Sequence, residues 1–316
     1  MARCPDTASP PTPPAKGLFR AQVAANEPLC TRHGELILRF DAFPPARPGQ
    51  FLQIRCDEPE GPLGYGPALI RRPFSIGGLR RGPGGVEIDI LYRVSGLGTG
   101  WMSRLKPGEP VSVLGPLGQC FQPPPPGSMA CLVAGGIGLP PLIWLAGELA
   151  EAGIPALAFC GARTADVLPL RRDPTVPVRG AEPSAAWPVF ARHGVPAVIA
   201  TDDGSLGARG RLPDVLAGWL EQRLPDAPRP AVFTCGPEPM MQAVAEICRR
   251  RNLPCQVCLE RMMACGMGTC QSCVVPVRDA SAADGWRYRL CCTDGPVFPA
   301  EQVIWSAPCE TGTQLF

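Results

Sequence analysis

The sequence predicts an antiparallel β-barrel, then an α/β domain built on a parallel sheet, then a small cysteine-rich module. Three observations lead there: short alternating runs in the N-terminal part, a strand–helix–strand rhythm in the middle, and cysteines crowded near the end. Residues 35–40, 50–56, 86–94 and 111–114 alternate apolar with polar side chains between Pro/Gly turns. Successive side chains of a strand point to opposite faces, so such runs at short intervals fit a small antiparallel barrel. Pro123 to Pro126 close the region as a linker. Beyond them, residues 130–134, 156–160, 197–200 and 231–234 are short continuous apolar runs, the pattern of strands buried on both faces. Residues 139–152 and 239–251 carry the spacing of the covering helices. Residues 171–187 break the rhythm with prolines and arginines and read as a surface insertion. The expected division is a disordered proline-rich leader over 1–16, the barrel over 17–122, the α/β domain over 128–253 and the module over 254–316.

Composition narrows the function. A chain of 316 residues is long enough for two or three such units. A net charge of +2 with 18% charged residues points to no nucleic acid and no acidic membrane surface as a partner. No apolar run is long enough to span a bilayer and no secretory signal precedes the chain, so a cytoplasmic protein with reduced thiols is expected. Sixteen cysteines exceed what one metal site needs, and Cys56, Cys131, Cys160 and Cys248, set in apolar stretches, read as buried small hydrophobes.

The most specific pattern is Cys265-x4-Cys270-x2-Cys273, followed about twenty residues later by Cys291-Cys292. This is plant-type spacing for a [2Fe-2S] cluster, which needs four thiolates on a small rhomb and a sharply turning loop to present three of them. Gly266 and Gly268 supply the turning. Two other readings compete. Cys255-x2-Cys258 with Cys270-x2-Cys273 offers zinc a pair of pairs, though it leaves Cys265 unexplained, and the same cysteines admit a disulfide framework.

Upstream, Arg71-Arg72-Pro73-Phe74-Ser75-Ile76 starts a strand of the barrel. An arginine beside a rigid proline can set its guanidinium fork on a diphosphate, and the following serine can reach the polar edge of a flavin. The plain alternative is two surface arginines before an ordinary strand. Gly96-Leu97-Gly98-Thr99-Gly100 opens a short helix about twenty residues later, where unpaired N–H groups favour phosphate. Together the two motifs point to an FAD site. Gly135-Gly136-Ile137-Gly138 follows a predicted strand and opens a helix, with Pro141 where a dinucleotide fingerprint has its third glycine. Cys235-Gly236-Pro237 ends another strand, which places both loops on one rim of the sheet, with Thr201-Asp202-Asp203-Gly204 beside them as a site or a plain turn. Neither His33 nor His193 has a partner for acid–base catalysis, so no catalytic side chain is assigned and the chemistry falls to bound cofactors.

In this order, Arg72-Pro73-Phe74-Ser75, Gly98-Thr99, Gly135-Gly136-Ile137-Gly138, Cys235-Gly236-Pro237 and the cysteine loop resemble the ferredoxin reductase superfamily. More narrowly, residues 263–270 and Cys292-Thr293-Asp294-Gly295-Pro296-Val297-Phe298 resemble the electron-transfer subunits of dihydroorotate dehydrogenase B. The resemblance implies a flavin-binding barrel, a Rossmann-like nicotinamide-binding domain and a [2Fe-2S] module. It implies Cys265, Cys270, Cys273 and Cys292 as cluster ligands, with Cys292 preferred over Cys291 by the acidic-Gly-Pro-Val-Phe stretch that follows it. It adds Leu91, Tyr92 and Arg93 to the FAD site, and Gly135, Gly136, Gly138, Cys235, Gly236 and Pro237 to the NAD site. The implied partner is an FMN-containing dihydroorotate dehydrogenase catalytic subunit in a heterotetramer, with dihydroorotate oxidised to orotate for pyrimidine biosynthesis. The insertion and the leader depart from that family. They leave open an NAD(P)H-dependent reductase subunit of a hydrogenase, sulfide dehydrogenase or bifurcating transhydrogenase; a zinc-stabilised nucleotide-binding regulator is the reading without redox chemistry.

Overall fold

The structure is a computed structural model and describes residues 16–56, 70–223 and 228–305, Arg223 by its main chain alone. The expected leader, apart from Lys16, lies outside the described residues. The first seven strands are β1 (Gly17–Cys30), β2 (His33–Phe40), β3 (Phe51–Ile54), β4 (Arg72–Ser75), β5 (Gly78–Gly82), β6 (Gly85–Arg93) and β7 (Pro110–Leu117). They form one antiparallel sheet in the order β4-β3-β7-β1-β2-β6-β5. Strands β2, β3, β6 and β7 match the alternating runs. β1 escaped the sequence reading, although Phe19, Ala21 and Val23 alternate with Arg20 and Gln22 and pack into the barrel core with Leu36, Leu38, Leu52, Ile54, Ile88, Ile90 and Val113. The sheet curls until β4, at one edge, comes against β6 near the other, with no ladder between them among the described residues. That leaves an open seam, and the short helix α1 (Leu97–Met102) stands at its end.

The second sheet contains β8 (Met129–Gly135), β9 (Ala156–Ala162), β10 (Ala197–Thr201), β11 (Ala208–Arg209), β12 (Pro230–Cys235), β13 (Cys255–Cys258) and β16 (Val297–Pro299), in the order β11-β10-β9-β8-β12-β13-β16. All its ladders are parallel except that of β16. The continuous apolar runs are explained by burial on both faces. Cys131, Val133, Phe159, Val198 and Val232 face α4 (Leu212–Arg223) and α5 (Glu238–Arg250), while Leu132, Ala158, Ile199 and Phe233 face α2 (Pro140–Glu151) and α3 (Pro188–Ala191). α4 was missed, although Leu212, Leu216 and Leu220, at every fourth position, are all buried. Proline fits at the start of α2, where the first N–H groups have no helical acceptor.

Two expectations change. Residues 171–187 are a strap folded onto the sheet, because Ala186 and Trp187 are buried in its core and Ser184 bridges Ala197. The C-terminal segment does not stand apart from the α/β unit: β13 and β16 complete its sheet, and only the hairpin β14 (Val274–Arg278) and β15 (Trp286–Leu290) lies outside it. Val275, Val277, Cys273 and Cys292 share one apolar cluster with Val257 and Met241, and with Phe51 and Leu117 from the barrel. No helix among the described residues is long and apolar enough to cross a membrane.

Phe233 is almost wholly buried and meets Phe121 edge-on, with ring centroids 5.6 Å apart, where the chain leaves the barrel. Phe233→Ala is expected to cost about 3–5 kcal/mol, seen as a lower unfolding midpoint in a denaturant titration.

Candidate redox centre

The cysteine loop brings together the four thiols singled out by the sequence. The amides of Met267 and Cys270 each donate to Cys265 Sγ at 3.4 Å, and the Cys292 amide donates to Cys273 Sγ at 3.4 Å. The Cys270 thiol interacts with that of Cys265, and the Cys292 thiol with that of Cys273. Gly266 and Gly268, at φ +72° and +90°, make the turns that let the loop close on itself. The two ends of the site differ. Cys270 is exposed, and the Ser272 hydroxyl and amide, with Cys265, hold its thiol down at about 6. Cys292 is buried, and desolvation followed by the neighbouring Cys273 pushes it up to about 12. A bound metal displaces such a proton, so a soft-metal group suits this donor set.

Adjacent Cys291 is directed elsewhere, its thiol donating to the Leu259 carbonyl at 3.5 Å. The zinc pair of pairs does not form. Cys255 and Cys258 are three apart on one strand and therefore face opposite sides of the sheet. Cys255 lies against Cys248 and Cys258 against Cys235, and these contacts raise the Cys255 and Cys258 pKa values before burial adds to the shift. Among the described residues all cysteines are free thiols, and no three His, Cys, Asp or Glu side chains form a site for a single metal ion.

The seam of the barrel collects the second set. Arg71 and Arg72, indistinguishable in the sequence, have separate tasks. Arg71 reaches inward and donates to the Ser112 carbonyl at 2.8 Å and the Ser112 hydroxyl at 2.9 Å, tying the loop before β4 to β7. Arg72 is exposed, with Nη1 on the Ile70 carbonyl at 2.9 Å. A Cβ on Gly98 would stand 3.7 Å from Arg72 Cγ, so the first turn of α1 lies alongside that arginine. The Thr99 hydroxyl is taken up within this turn, accepting from Ser95 N at 2.9 Å and Gly96 N at 3.2 Å, which leaves the main chain as what the turn offers. Pro73, Phe74 and Ser75 line β4, and Leu91, Tyr92 and Arg93 end β6 across the seam. The Tyr92 side chain points into the barrel and donates to Asn26 Oδ1 at 2.9 Å, so only its backbone is available at the seam, whereas Arg93 is exposed.

The third set lies at the carboxyl ends of β8 and β12, where the connectivity of the parallel sheet reverses. The two loops touch: a Cβ on Gly236 would stand 2.9 Å from Gly135 Cα, and one on Gly138 would collide with the Cys235 carbonyl. Glycine at these places lets backbone meet backbone, and at Gly135 it leaves room for the Met240 side chain, whose sulfur would stand 2.5 Å from an added Cβ. Pro237 packs beside Gly135. The Cys235 thiol is engaged with Cys258. Asp203 accepts from Ser205 N at 3.0 Å and Ser205 Oγ at 2.7 Å, which lowers its pKa and marks the acidic bend as turn chemistry. Arg171 pairs with Glu35 on the barrel at 3.3 Å and so is not placed to read a nucleotide. Sequence reasoning missed Gln53, a wholly buried amide beside the cysteine loop. Its one signal was a glutamine in the apolar run 51–54.

Comparison with known proteins places this geometry. Residues 260–304 match the iron-sulfur cluster binding domain of dihydroorotate dehydrogenase B. The chain is 37% identical over 271 residues to the dihydroorotate dehydrogenase B (NAD(+)) electron transfer subunit of Desulforamulus reducens, covering 85% of this chain and 92% of that one. With the same subunit of Bacillus caldolyticus it shares 35% over 292 residues, covering 91% and 99%. Among solved structures, an NADH-dependent reduced ferredoxin-NADP oxidoreductase studied for flavin-based electron bifurcation superposes with a TM-score of 0.72, 26% identity and 90% of each chain. The ferredoxin reductase of carbazole 1,9a-dioxygenase shares the fold at a TM-score of 0.57 and 21% identity, over 76% of this chain and 67% of that one. The chain belongs to the family of dihydroorotate dehydrogenase B electron transfer subunits.

Proposed function

We propose that this chain is the electron-transfer subunit of a cytoplasmic dihydroorotate dehydrogenase, passing electrons from a partner's FMN to NAD+ as dihydroorotate becomes orotate in pyrimidine biosynthesis. The [2Fe-2S] cluster supplies one-electron steps and FAD joins them to hydride exchange with the nicotinamide. The observation that carries this reading is the pairing of Cys270 with Cys265 and of Cys292, just after β15, with Cys273, in a cysteine loop lodged against β3 of the barrel.

The geometry supports a role for each residue. Cys265, Cys270, Cys273 and Cys292 hold the cluster. Arg72, with the free amides of Gly98 and Thr99 at the start of α1, neutralises the FAD diphosphate. Pro73, Phe74 and Ser75 border the flavin ring on one side of the seam, and Leu91, Arg93 and the main chain of Tyr92 border it on the other. Gly135, Gly136, Gly138, Cys235, Gly236 and Pro237 form the rim that admits NAD. The catalytic subunit docks over exposed Cys270, where Met262 and Met267 present apolar surface, 91% and 48% exposed. A heterotetramer of two such pairs is the proposed assembly. The bifurcating oxidoreductase likeness favours a second reading, a reductase subunit with another redox partner.

Reconstitution separates the two. Anaerobically purified chain carrying iron and FAD, mixed with an FMN-containing dihydroorotate-oxidising subunit, is expected to reduce NAD+ when dihydroorotate is added. A loaded sample that stays inactive removes the first reading in favour of the second. Cys292→Ser is expected to abolish the visible absorbance of the cluster, whereas Cys291→Ser keeps it. The two arginines part in the same way. Arg72→Ala loses roughly tenfold or more in FAD affinity with unchanged folding, as for a lost charged hydrogen bond, and Arg71→Ala destabilises by about 1–3 kcal/mol. FAD titration and thermal unfolding read out the pair.

A further inference from the structure

Gln53 is completely buried, and among the described residues neither its amide nitrogen nor its amide oxygen has a hydrogen-bond partner. A buried carboxamide left unpaired is costly, so its persistence needs an explanation. Its place in the fold supplies one. On β3, Leu52 and Ile54 point into the barrel core while Phe51 and Gln53 point outward, Phe51 into the apolar cluster shared with the cysteine module. Across the ladder Gln53 faces Pro73 and Phe51 faces Ser75, so Gln53 lies on the face of the strip proposed to border the flavin. On its far side a Cβ added to Gly266 would stand 2.7 Å from both Cγ and Nε2 of Gln53. Gly266 lies between Cys265 and Cys270. The unpaired amide is therefore wedged between the flavin strip and the cluster loop.

We propose that Gln53 is a positioning residue for the cluster, its carboxamide N–H groups serving sulfur acceptors on the Cys265–Cys270 side. The chemistry selects this direction. A cluster and its thiolates offer acceptors alone, and a carboxamide is the one neutral side chain that brings two donors. Reduction adds negative charge spread over the sulfurs, and N–H donors stabilise that state, so Gln53 holds the cluster potential up relative to the flavin. The inference rests on the cluster and flavin assignment of the preceding subsection.

The test uses the full chain, purified anaerobically with iron and FAD, and compares the parent with Gln53→Met and Gln53→His. Methionine fills the volume with no donor, and histidine restores a ring N–H. The readout is the cluster midpoint potential, titrated by the electron paramagnetic resonance signal of the reduced cluster. Iron and FAD contents are measured on the same samples, with Gln53→Leu in reserve if the methionine variant does not fold. The expected result is a negative shift in Gln53→Met that Gln53→His reverses in part, at unchanged iron and FAD. An unshifted methionine variant, or a histidine variant shifted equally far, overturns the proposal. A parent chain that shows no cluster signal at all removes the cofactor assignment itself, which separates the two failures.

Discussion

The rest of the structure depends on how Phe51 is buried. It stands on a barrel strand, yet its side chain belongs to the apolar cluster that holds Val257 of the parallel sheet and Cys273 and Cys292 of the cysteine loop. One strand thus has Leu52 and Ile54 in one core and Phe51 in another. Electron transfer between separate cofactors falls steeply with distance, and units joined by a flexible linker would not hold that distance constant. A shared core does. The contact is reinforced just past β7, where Gln119 donates through its amide to the Gly295 carbonyl at 2.6 Å and through its side chain to the Thr293 carbonyl at 2.8 Å. The proline run after the barrel follows the same logic. It starts from buried Phe121 and from Gln122, whose amide is held by Gln256 at 2.8 Å, so the chain crosses between sheets with its near end tied down.

The same shared core explains what the sequence showed plainly and what it concealed. The parallel strands were legible because burial on both faces leaves almost only apolar residues, as in 130–134 and in 231–234, where Thr234 is the one polar residue. The cysteine loop was legible because its spacing is tied to metal geometry. The fate of the C-terminal segment was not, since Cys255–Cys258 is too short a run to announce a strand and finds its place by pairing with β12 and β16. Residues 171–187 misled for the opposite reason. Their prolines and arginines signal surface, but Trp187 at the end of the stretch anchors it to the sheet. Periodicity says nothing about one large aromatic in a loop.

At the candidate site the sequence pattern names strips of residues, and packing distinguishes the individual side chains within them. Arg71 and Arg72 are identical in type and adjacent in position; the difference is that Ser112 on the neighbouring strand captures one of them. Cys291 and Cys292 are the same case. The first donates to the Leu259 carbonyl and is lost to the site, and the second is left for Cys273. Tyr92 and Leu91 fall on opposite faces of β6, so of three consecutive residues Tyr92 alone turns its side chain into the barrel core.

The unequal burial of the four thiols gives the site a direction. Cys270 faces outward with a thiol already held low by Ser272, and Cys292 is enclosed with a thiol pushed high by desolvation. A metal group held by these thiols would be exposed beside Cys270 and enclosed beside Cys292, while Gly266, between Cys265 and Cys270, abuts Gln53 on β3, the strand paired with β4. An electron carrier has to accept from a partner that comes and goes and deliver to a group that stays. An exposed, ionisable edge suits the first task because docking can cover it, and an enclosed edge suits the second because nothing there needs to move.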